Sequence, residues 1–442
     1  MKLLNPISQR RKIILIFLVA FAFRLFLIKF IPYPFFPERI DDAHSYDIMA
    51  LNILQGNGFS GDENPPYKPT IRRTPVYPIF LAGIYAIFGQ AYDIVRIIQA
   101  FIDSITCFLV YLISLFCFRN KKNYKQLALL TFILAALCPF TAFFASMIYA
   151  DLLTTFLFTL SVFLFILAIS KKQWQYYFLS GITIGLAFLC RPAIFAYLFI
   201  LVVCMFLSNI RNNIKLILKY IFIYMFGVSL VWLPWVYRNY VVFDRFVPLA
   251  LNSGEILWVG TFSPGRYEKD FTVDRDIHEA YLKLKGKAAL DMDSWLGKEA
   301  IKRIKKEPLK YFYYSFKRIG YLWVSSNSMF IQIEKTFTEL IAELKAKKFN
   351  SLGAARIITM ILIKGLLLVT NLMLVSTGVF GMIIAARFWR IIYPVILAPI
   401  YITLVHAMLG AAGSRYIVSA WPIFIIFSAY ALLFAKKMYE IP

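Results

Sequence analysis

Charged residues and histidines are scarce in this chain. Only 16% of its 442 residues are charged and three are histidines, whereas about a quarter of the residues in soluble domains are charged. Hydrophobic residues make up 60% of the sequence, with 43 Phe and 27 Tyr. This composition excludes a single water-soluble core and indicates that lipid is the main solvent.

Several patterns of other protein classes are also missing. No internal repeat and no barrel-type alternation of polar and apolar residues is present. The cysteines lie inside apolar runs without CxxC spacing, which argues against a disulfide framework or a zinc site; they are Cys107, Cys117, Cys138, Cys190 and Cys204. The first apolar run has no small-residue cleavage site after it, so we interpret it as a retained span.

Apolar stretches long enough to cross the hydrocarbon core predict an all-α polytopic membrane protein with about ten transmembrane helices. The predicted spans are residues 13–31, 94–118, 126–147, 149–170, 174–190, 193–208, 217–236, 356–386, 391–410 and 416–435. The shorter apolar segment 76–89 is predicted to be a juxtamembrane or re-entrant helix. We expect these elements to form a single transmembrane domain over residues 1–442.

Lysines and arginines concentrate in alternate short loops, and this bias predicts the orientation. The basic loops include Arg10, Arg11 and Lys12; Arg119, Lys121, Lys122 and Lys125; Lys171 and Lys172; Arg387 and Arg390; and Lys436 and Lys437. Both termini are then cytoplasmic, and two long loops, residues 32–92 and 237–355, are extracytoplasmic. The net charge of +24 predicts anionic membrane lipids as partners rather than nucleic acid.

The second long loop contains a stretch, Ser294 to Trp323, in which apolar and aromatic residues alternate with lysines. This pattern is typical of an amphipathic helix that lies in the membrane interface. An ordinary solvated helix is the alternative.

With this topology, the ionisable residues near the membrane gather on the extracytoplasmic side. The acids are Asp41, Asp42 and Asp151, and the cations are Arg73, Arg191, Arg238 and Arg415. Such groups are costly near lipid unless they are paired, hydrated or functional, so they predict a shared functional site. The alternatives are that the arginines are helix-end charges that reach the headgroups, and that the acidic pair caps a helix. Carboxylates suit a divalent cation or a general base, and arginines suit a phosphate, here a lipid-linked one.

A set of short motifs follows in order along most of the chain. They are the acidic pair with Tyr46, Arg-Thr-Pro-Val-Tyr-Pro (73–78), Tyr-Ala-Asp (149–151), Leu-Cys-Arg-Pro (189–192), Pro-Trp-Val-Tyr-Arg-Asn (234–239), Val-Pro-Leu-Ala-Leu-Asn-Ser-Gly (247–254) and Arg-Tyr (415–416). In these motifs the sequence resembles the GT-C superfamily of polyprenyl-phosphate-sugar-dependent glycosyltransferases. The branch it resembles contains the protein O-mannosyltransferases and the lipid A aminoarabinose transferase.

The resemblance implies inverting transfer of a sugar from a polyprenyl phosphate to an extracytoplasmic lipid, glycan or protein, in a bacterial inner membrane. It implies catalytic roles for Asp42 or Asp41, and a divalent metal ion of unknown identity held by Asp42 and Asp151. His44, next to the acidic pair, is a further candidate metal ligand or a neighbour of the ligands; an ordinary loop residue is the alternative. Donor-phosphate contacts would come from Arg73, Arg191, Arg238 and Arg415, and substrate contacts from Tyr46, Tyr77, Asn239 and Tyr416. The Asp-Asp pair departs from the Asp-Glu pair of the protein mannosyltransferases and leaves the catalytic member open.

Two other functions remain open at this point. A lipid-glycan transporter or flippase would need charges through the membrane midplane, for which Asp103 and Lys364 are candidates, and repeat symmetry, which is missing. A glycan polymerase or ligase would use a polyprenyl diphosphate instead of a monophosphate.

Overall fold

The structure is a computed structural model, and it describes residues 6–31, 42–209, 214–264, 289–324, 337–346, 351–410 and 413–439. Helices dominate these ranges, and the pairing of Ser60 with Pro69 is the only β-bridge within them. The helices are α1 Pro6–Phe30, α2 Asp42–Leu54, α3 Val76–Phe88, α4 Tyr92–Cys117, α5 Tyr124–Ala136, α6 Pro139–Ala142, α7 Ala150–Lys171, α8 Trp174–Cys190, α9 Tyr197–Asn209, α10 Ile214–Phe243, α11 Ser253–Val259, α12 Ala289–Lys306, α13 Pro308–Trp323, α14 Phe337–Lys345, α15 Ser351–Ala385, α16 Trp389–Leu409 and α17 Trp421–Tyr439.

The all-helical membrane fold is confirmed, but the count of ten spans is not. Six helices among the described residues are long and apolar enough to cross a membrane: α1, α4, α7, α10, α15 and α16. A seventh span results if α5 and the bent segment 139–146 count as one. The remaining predicted spans correspond to shorter apolar helices, in α8, the 192–208 segment and α17. The apolar runs therefore located the helices but did not decide which of them are long enough to span.

Two interruptions bring polar residues toward the inside of the bundle. The helix pair before α7 bends by 45°, and Tyr149 is extended before α7 begins at Ala150. Helix α8 ends at Cys190 because the next residue precedes Pro192, and a residue before proline disfavours the helical conformation. Asp151 therefore lies in the first turn of α7, while Arg191 continues from the end of α8 with an extended backbone.

Small residues let several helices approach closely, as is typical of membrane bundles. A Cβ on Gly181 of α8 would lie 2.2 Å from the carbonyl oxygen of Tyr224 in α10, and one on Gly381 of α15 would lie 1.9 Å from the carbonyl of Phe427 in α17. Helices α7, α8 and α17 form much of the buried core, whereas α1, α10 and α15 carry rows of exposed apolar side chains. These exposed rows are suited to contact with lipid.

The two long loops contain helices of their own. The predicted juxtamembrane segment 76–89 is α3. The amphipathic stretch is divided at Pro308 into α12 and α13, and α13 buries Tyr311 and Arg318 on one side while Leu309 and Phe316 are 83% and 73% exposed on another. Its placement at the membrane surface stays a prediction.

Candidate active site

Two residues of the first long loop form an ion pair. Asp42 is the first residue of α2, and Arg73 precedes Pro75 and α3. The Nη2 atom of Arg73 donates to Oδ1 of Asp42. Thr74 fixes this part of the loop, because its hydroxyl donates to the carbonyl of Cys190 at 3.1 Å. The hydrogen bond of Thr74 thereby holds the neighbouring residue Arg73 beside the end of α8.

Arg415 joins this pair to a second carboxylate. It lies in the 3₁₀ turn Ser414–Ile417 that precedes α17. Its Nη2 is 2.8 Å from Oδ2 of Asp42, and its Nε donates to Oδ2 of Asp151 at 2.9 Å. Arg191 approaches the other oxygen of Asp151. One continuous network therefore runs from Arg73 to Arg191, and we call these five residues the outer cluster.

Aromatic rings flank the cations of the outer cluster. The guanidinium carbon of Arg415 lies 3.9 Å from the ring centre of Tyr149, and that of Arg191 lies 5.1 Å from the ring of Tyr416. Cation–π contacts of this kind strengthen when they are removed from water. Stacking fixes the planes of the guanidinium groups, and hence the directions in which they donate.

The outer cluster is strongly buried and positively charged. The side chain of Asp151 is 1% exposed, those of Arg415 and Arg191 are 13% and 16% exposed, and Asp42 and Arg73 are the most accessible at 28%. Three guanidinium groups face two carboxylates, so one positive charge is left over. An anion such as a phosphate can neutralise that charge and accept guanidinium hydrogen bonds in pairs.

The pKa of Asp42 reflects these neighbours. Burial by itself raises the pKa of this carboxyl, but Arg415 and Arg73 outweigh that effect and lower it to about 2. Asp42 is therefore ionised at neutral pH, and it is a weak base for as long as both arginines remain on it.

The predicted metal ligands do not form a metal site in this arrangement. Both oxygens of Asp42 and of Asp151 are paired with guanidinium groups. His44 is instead 2.9 Å from Oε1 of Glu63. Among the described residues no group of three or more His, Cys, Asp or Glu side chains could hold a metal, and Asp41 lies outside the described residues. A cation would have to displace arginines to reach the carboxylates.

Of the other predicted site residues, Tyr46 lies beside the outer cluster and Arg238 lies apart from it. Tyr46 is buried, its ring is 5.5 Å from the guanidinium carbon of Arg73, and it packs edge-on against Tyr77. The structure does not bring Arg238 into the network: it donates to the carbonyl of Thr70 at 3.0 Å and to the side chain of Asn239.

The surroundings of Arg238 are aromatic rather than acidic. Its guanidinium carbon lies 5.0–5.5 Å from the ring centres of Phe59, Trp235 and Phe243. Asn239 is buried and donates to the carbonyl of Val247 at 2.9 Å, which ties the end of α10 to the chain that follows it.

Two neighbours of the cluster were not predicted from the sequence. Tyr149 stacks on Arg415, and the motif Tyr-Ala-Asp that contains it was the available signal. His406 of α16 is buried and its ring lies 5.5 Å from that of Tyr416. Its only sequence signal is a lone histidine in an apolar span, which is more often a satisfied core residue.

The comparisons with known proteins agree with this fold. The family model of dolichyl-phosphate-mannose-protein mannosyltransferases matches residues 72–237, a segment that contains Arg73, Asp151 and Arg191. No curated protein matches the sequence significantly.

Solved structures of the oligosaccharyltransferase of Archaeoglobus fulgidus are similar over nearly the whole chain. The apo form is 13% identical with a TM-score of 0.56, and the match covers 98% of this chain and 51% of that one. The complex of this oligosaccharyltransferase, AglB, with an inhibitory peptide and a dolichol-phosphate is 14% identical, with a TM-score of 0.54 over 97% and 51% of the two chains. The chain therefore spans about half the length of these proteins.

These similarities confirm the predicted resemblance and the GT-C-like fold of an integral membrane protein.

Proposed function

We propose that the protein is a membrane glycosyltransferase that moves a sugar from a polyprenyl-phosphate donor to an acceptor at the extracytoplasmic face. The observation that carries the proposal is the outer cluster, in which one arginine bridges two carboxylates and a positive charge is left over. The family whose model matches is described as using a dolichyl-phosphate mannose, and a similar structure holds a dolichol-phosphate. Both support a lipid monophosphate as the donor class.

The cations have the clearest role in this proposal. Arg191 and Arg415, and Arg73 from the first loop, would bind the donor phosphate and stabilise the charge that develops on it as the glycosidic bond breaks. Arg238 remains a predicted donor-phosphate contact at a greater remove from the carboxylates. Tyr46, Tyr77, Asn239 and Tyr416 remain predicted substrate contacts.

Asp42 would act as the general base on the acceptor hydroxyl. While Arg73 and Arg415 both bind it, its pKa of about 2 makes it a poor proton acceptor. A phosphate that draws these guanidinium groups toward itself would raise that pKa, so donor binding would prepare the base. Asp151, which is almost fully buried between Arg191 and Arg415, would hold the two cations in place.

The divalent metal ion stays a prediction, and no step of the proposal passes through it. Chelation with EDTA, followed by addition of Mg²⁺ or Mn²⁺, tests it directly. Activity that is lost and then restored by one ion would support a metal that displaces the arginines. Transfer that is unaffected by chelation would remove the metal from the mechanism.

The function itself is tested with purified protein in liposomes. A radiolabelled polyprenyl-phosphate mannose and a diphosphate-linked sugar are supplied in parallel, with membrane lipid, glycan and protein fractions as acceptors. Product formation from the monophosphate alone is expected. Use of the diphosphate alone would indicate a polymerase or ligase, and movement of the donor across the bilayer without product would indicate a transporter.

A further inference from the structure

Arg318 is a fully buried cation outside the outer cluster. It lies on α13, and the whole residue is 1% exposed. Its guanidinium group donates to the carbonyl of Ala407 at 2.9 Å, to that of Phe262 at 3.1 Å, and to that of Gly260. Within the described ranges no carboxylate forms an ion pair with it. Its charge is therefore compensated by backbone carbonyls, an arrangement that needs a structural reason because burial of a charge is costly.

Two of these three carbonyls belong to the C-terminal ends of helices, and that of Phe262 lies in the turn after α11. Gly260 directly follows α11, which ends at Val259, and Ala407 lies in the last turn of α16, which ends at Leu409. The last carbonyls of a helix have no partner within it and carry partial negative charge, so a cation is favourable there. Arg318 therefore caps two helices at once.

The same two helix ends are in direct contact. Gly410 has a φ of +92°, and a Cβ there would lie 2.5 Å from the Cα of Gly260. The hydroxyl of Tyr311, also on α13, donates to the carbonyl of Met408. The glycine backbones approach closely and α13 binds both helix ends from one side, so the end of α11 is joined to the end of α16.

Each of the two helices leads to a cation of the outer cluster. Helix α16 ends at Leu409, and the 3₁₀ turn that contains Arg415 begins at Ser414. Before the start of α11, the backbone N–H of Leu251 donates to the carbonyl of Ile71 at 2.9 Å, two residues from Arg73. The N-terminus of α11 is in turn fixed by Asp293 of α12, which accepts from the backbone N–H groups of Gly254 and Glu255.

We infer that Arg318 is a positioning residue that sets the spacing between Arg415 and the Arg73 segment by joining the ends of α16 and α11. It touches neither substrate nor carboxylate; it acts through the backbone. The inference rests on the proposed function for its effect on sugar transfer, although the joint between the two helix ends exists independently of any activity. An error of about 1 Å in the placement of reacting groups can cost about 100-fold in rate.

The test uses Arg318→Lys and Arg318→Gln in the full chain, with Lys317→Gln, an exposed neighbour on the same helix, as the matched control. Glutamine removes the charge, and lysine keeps it but cannot spread fork-shaped donors over separate carbonyls. With polyprenyl-phosphate mannose as the donor, we expect kcat to fall about 10- to 100-fold for Arg318→Gln. Arg318→Lys should recover part of the loss, the KM for the donor should rise in Arg318→Gln because Arg73 and Arg415 are proposed to bind its phosphate, and the control should be unaffected.

Hydrogen exchange provides a readout that needs no enzymatic activity. Amides of residues 253–262 and 413–418 should exchange faster in Arg318→Gln, while those of α7 and α8 stay unchanged. Wild-type exchange at both segments would overturn the inference, as would a wild-type kcat where the wild type transfers sugar. If Arg318→Gln does not fold, the same two measurements on Arg318→Lys decide. Absence of transfer by the wild type from a panel of polyprenyl-phosphate sugars would refute the proposed function, and the exchange data would still test the joint.

Discussion

Among the residues that the structure describes, buried ion pairs occur in two regions that are built differently. In the first, Arg24 of α1 faces Asp103 of α4 with 2.6 Å between Nε and Oδ2, and the two side chains are 0% and 2% exposed. Arg24 also donates to the carbonyls of Ala20 and Ala136 and to the sulfur of Cys107. In the second, the outer cluster, three arginines share two carboxylates.

The difference concerns what each region can still bind. The Arg24–Asp103 pair is neutral as a unit and closed on all sides, so it joins α1 to α4 and α5 and offers nothing to a ligand. The outer cluster has an unbalanced positive charge, and Asp42 and Arg73 are each 28% exposed. Buried pairs of the first kind contribute to specific packing, whereas a cluster of the second kind can exchange partners with an anion.

Replacement of Asp42 should give the largest effect on activity. Asp42→Asn removes the proposed base but keeps the size of the side chain, and we expect transfer to fall by about 10²–10⁴, the usual contribution of a general base. The thermal midpoint of unfolding should fall as well, because Arg415 and Arg73 lower the pKa of Asp42 to about 2 and the ionised carboxylate therefore stabilises the folded state. Initial rates with polyprenyl-phosphate mannose provide the measurement.

Glu63→Gln is the matched control, since this acid lies in the same loop, is 61% exposed and pairs with His44 instead of an arginine. It should retain wild-type rates. An Asp42→Asn variant with more than a tenth of the wild-type rate would mean that the outer cluster does not supply the base, and the functional contrast between the two regions would fail.

The Arg24–Asp103 pair, which we call the inner pair, should affect stability and not activity. Asp103→Leu leaves Arg24 buried without its carboxylate, and the loss of one member of a buried pair costs about 3–5 kcal/mol. The double variant Arg24→Met with Asp103→Leu should recover most of this stability and transfer sugar within about threefold of the wild type. Unfolding in detergent and transfer in liposomes are the two measurements.

This double variant also distinguishes the transporter alternative. A transporter would need charges within the membrane, so a stable double variant that has lost all function would show that the inner pair is part of the working site.

The pH dependence of transfer should depend on the arginines of the outer cluster. Arg73 lowers the pKa of Asp42, so Arg73→Gln should raise it, by about one unit or more for the loss of a close opposite charge. Asp42 is active as a base only when ionised, above its pKa. The acidic limb of kcat/KM should therefore move to higher pH in Arg73→Gln and stay in place in the neighbouring exposed control Arg72→Gln. If the limb does not shift, Asp42 is not the group whose protonation limits transfer at low pH.

Much of the outer cluster could be predicted from the sequence. Asp42, Asp151, Arg73, Arg191 and Arg415 were all candidates from the order of short motifs, and the structure brings them into one network. The predicted apolar segments are helical as well. The helices and the candidate residues could be located because hydrophobic runs and motif order are properties of contiguous sequence, whereas the roles of these residues stay predictions.

Features that depend on which helix faces meet could not be predicted. Asp103 was a candidate mid-membrane charge, but its partner Arg24 is 79 residues away, and nothing in an apolar run shows which side of a helix another helix will cover. His44 was placed with Asp42 because the two are close in sequence. Residues two apart on a helix point in different directions, and His44 pairs with Glu63 instead.

Replacement of Arg238 should have the smallest effect on the binding of a polyprenyl phosphate. Its comparison with Arg191 tests whether the phosphate site is confined to the outer cluster. Arg238 and Arg191 were predicted together as donor-phosphate contacts, but Arg191 pairs with Asp151 whereas Arg238 is surrounded by three aromatic rings. Arg238 forms no ion pair with the carboxylates of the cluster, and a partly solvated pair of charges contributes about 0.2–1 kcal/mol, so Arg238→Gln should weaken binding of a polyprenyl phosphate by no more than about fivefold.

Arg191→Gln should weaken the same binding about 10- to 100-fold, because hydrogen bonds to a charged partner contribute about 1.5–3 kcal/mol. Dissociation constants from tryptophan fluorescence, with a polyprenyl phosphate as the probe, provide the comparison. Equal losses in the two variants would place the phosphate between Arg191 and Arg238, and the binding site would then extend beyond the outer cluster along the first loop toward Thr70, whose carbonyl accepts from Arg238.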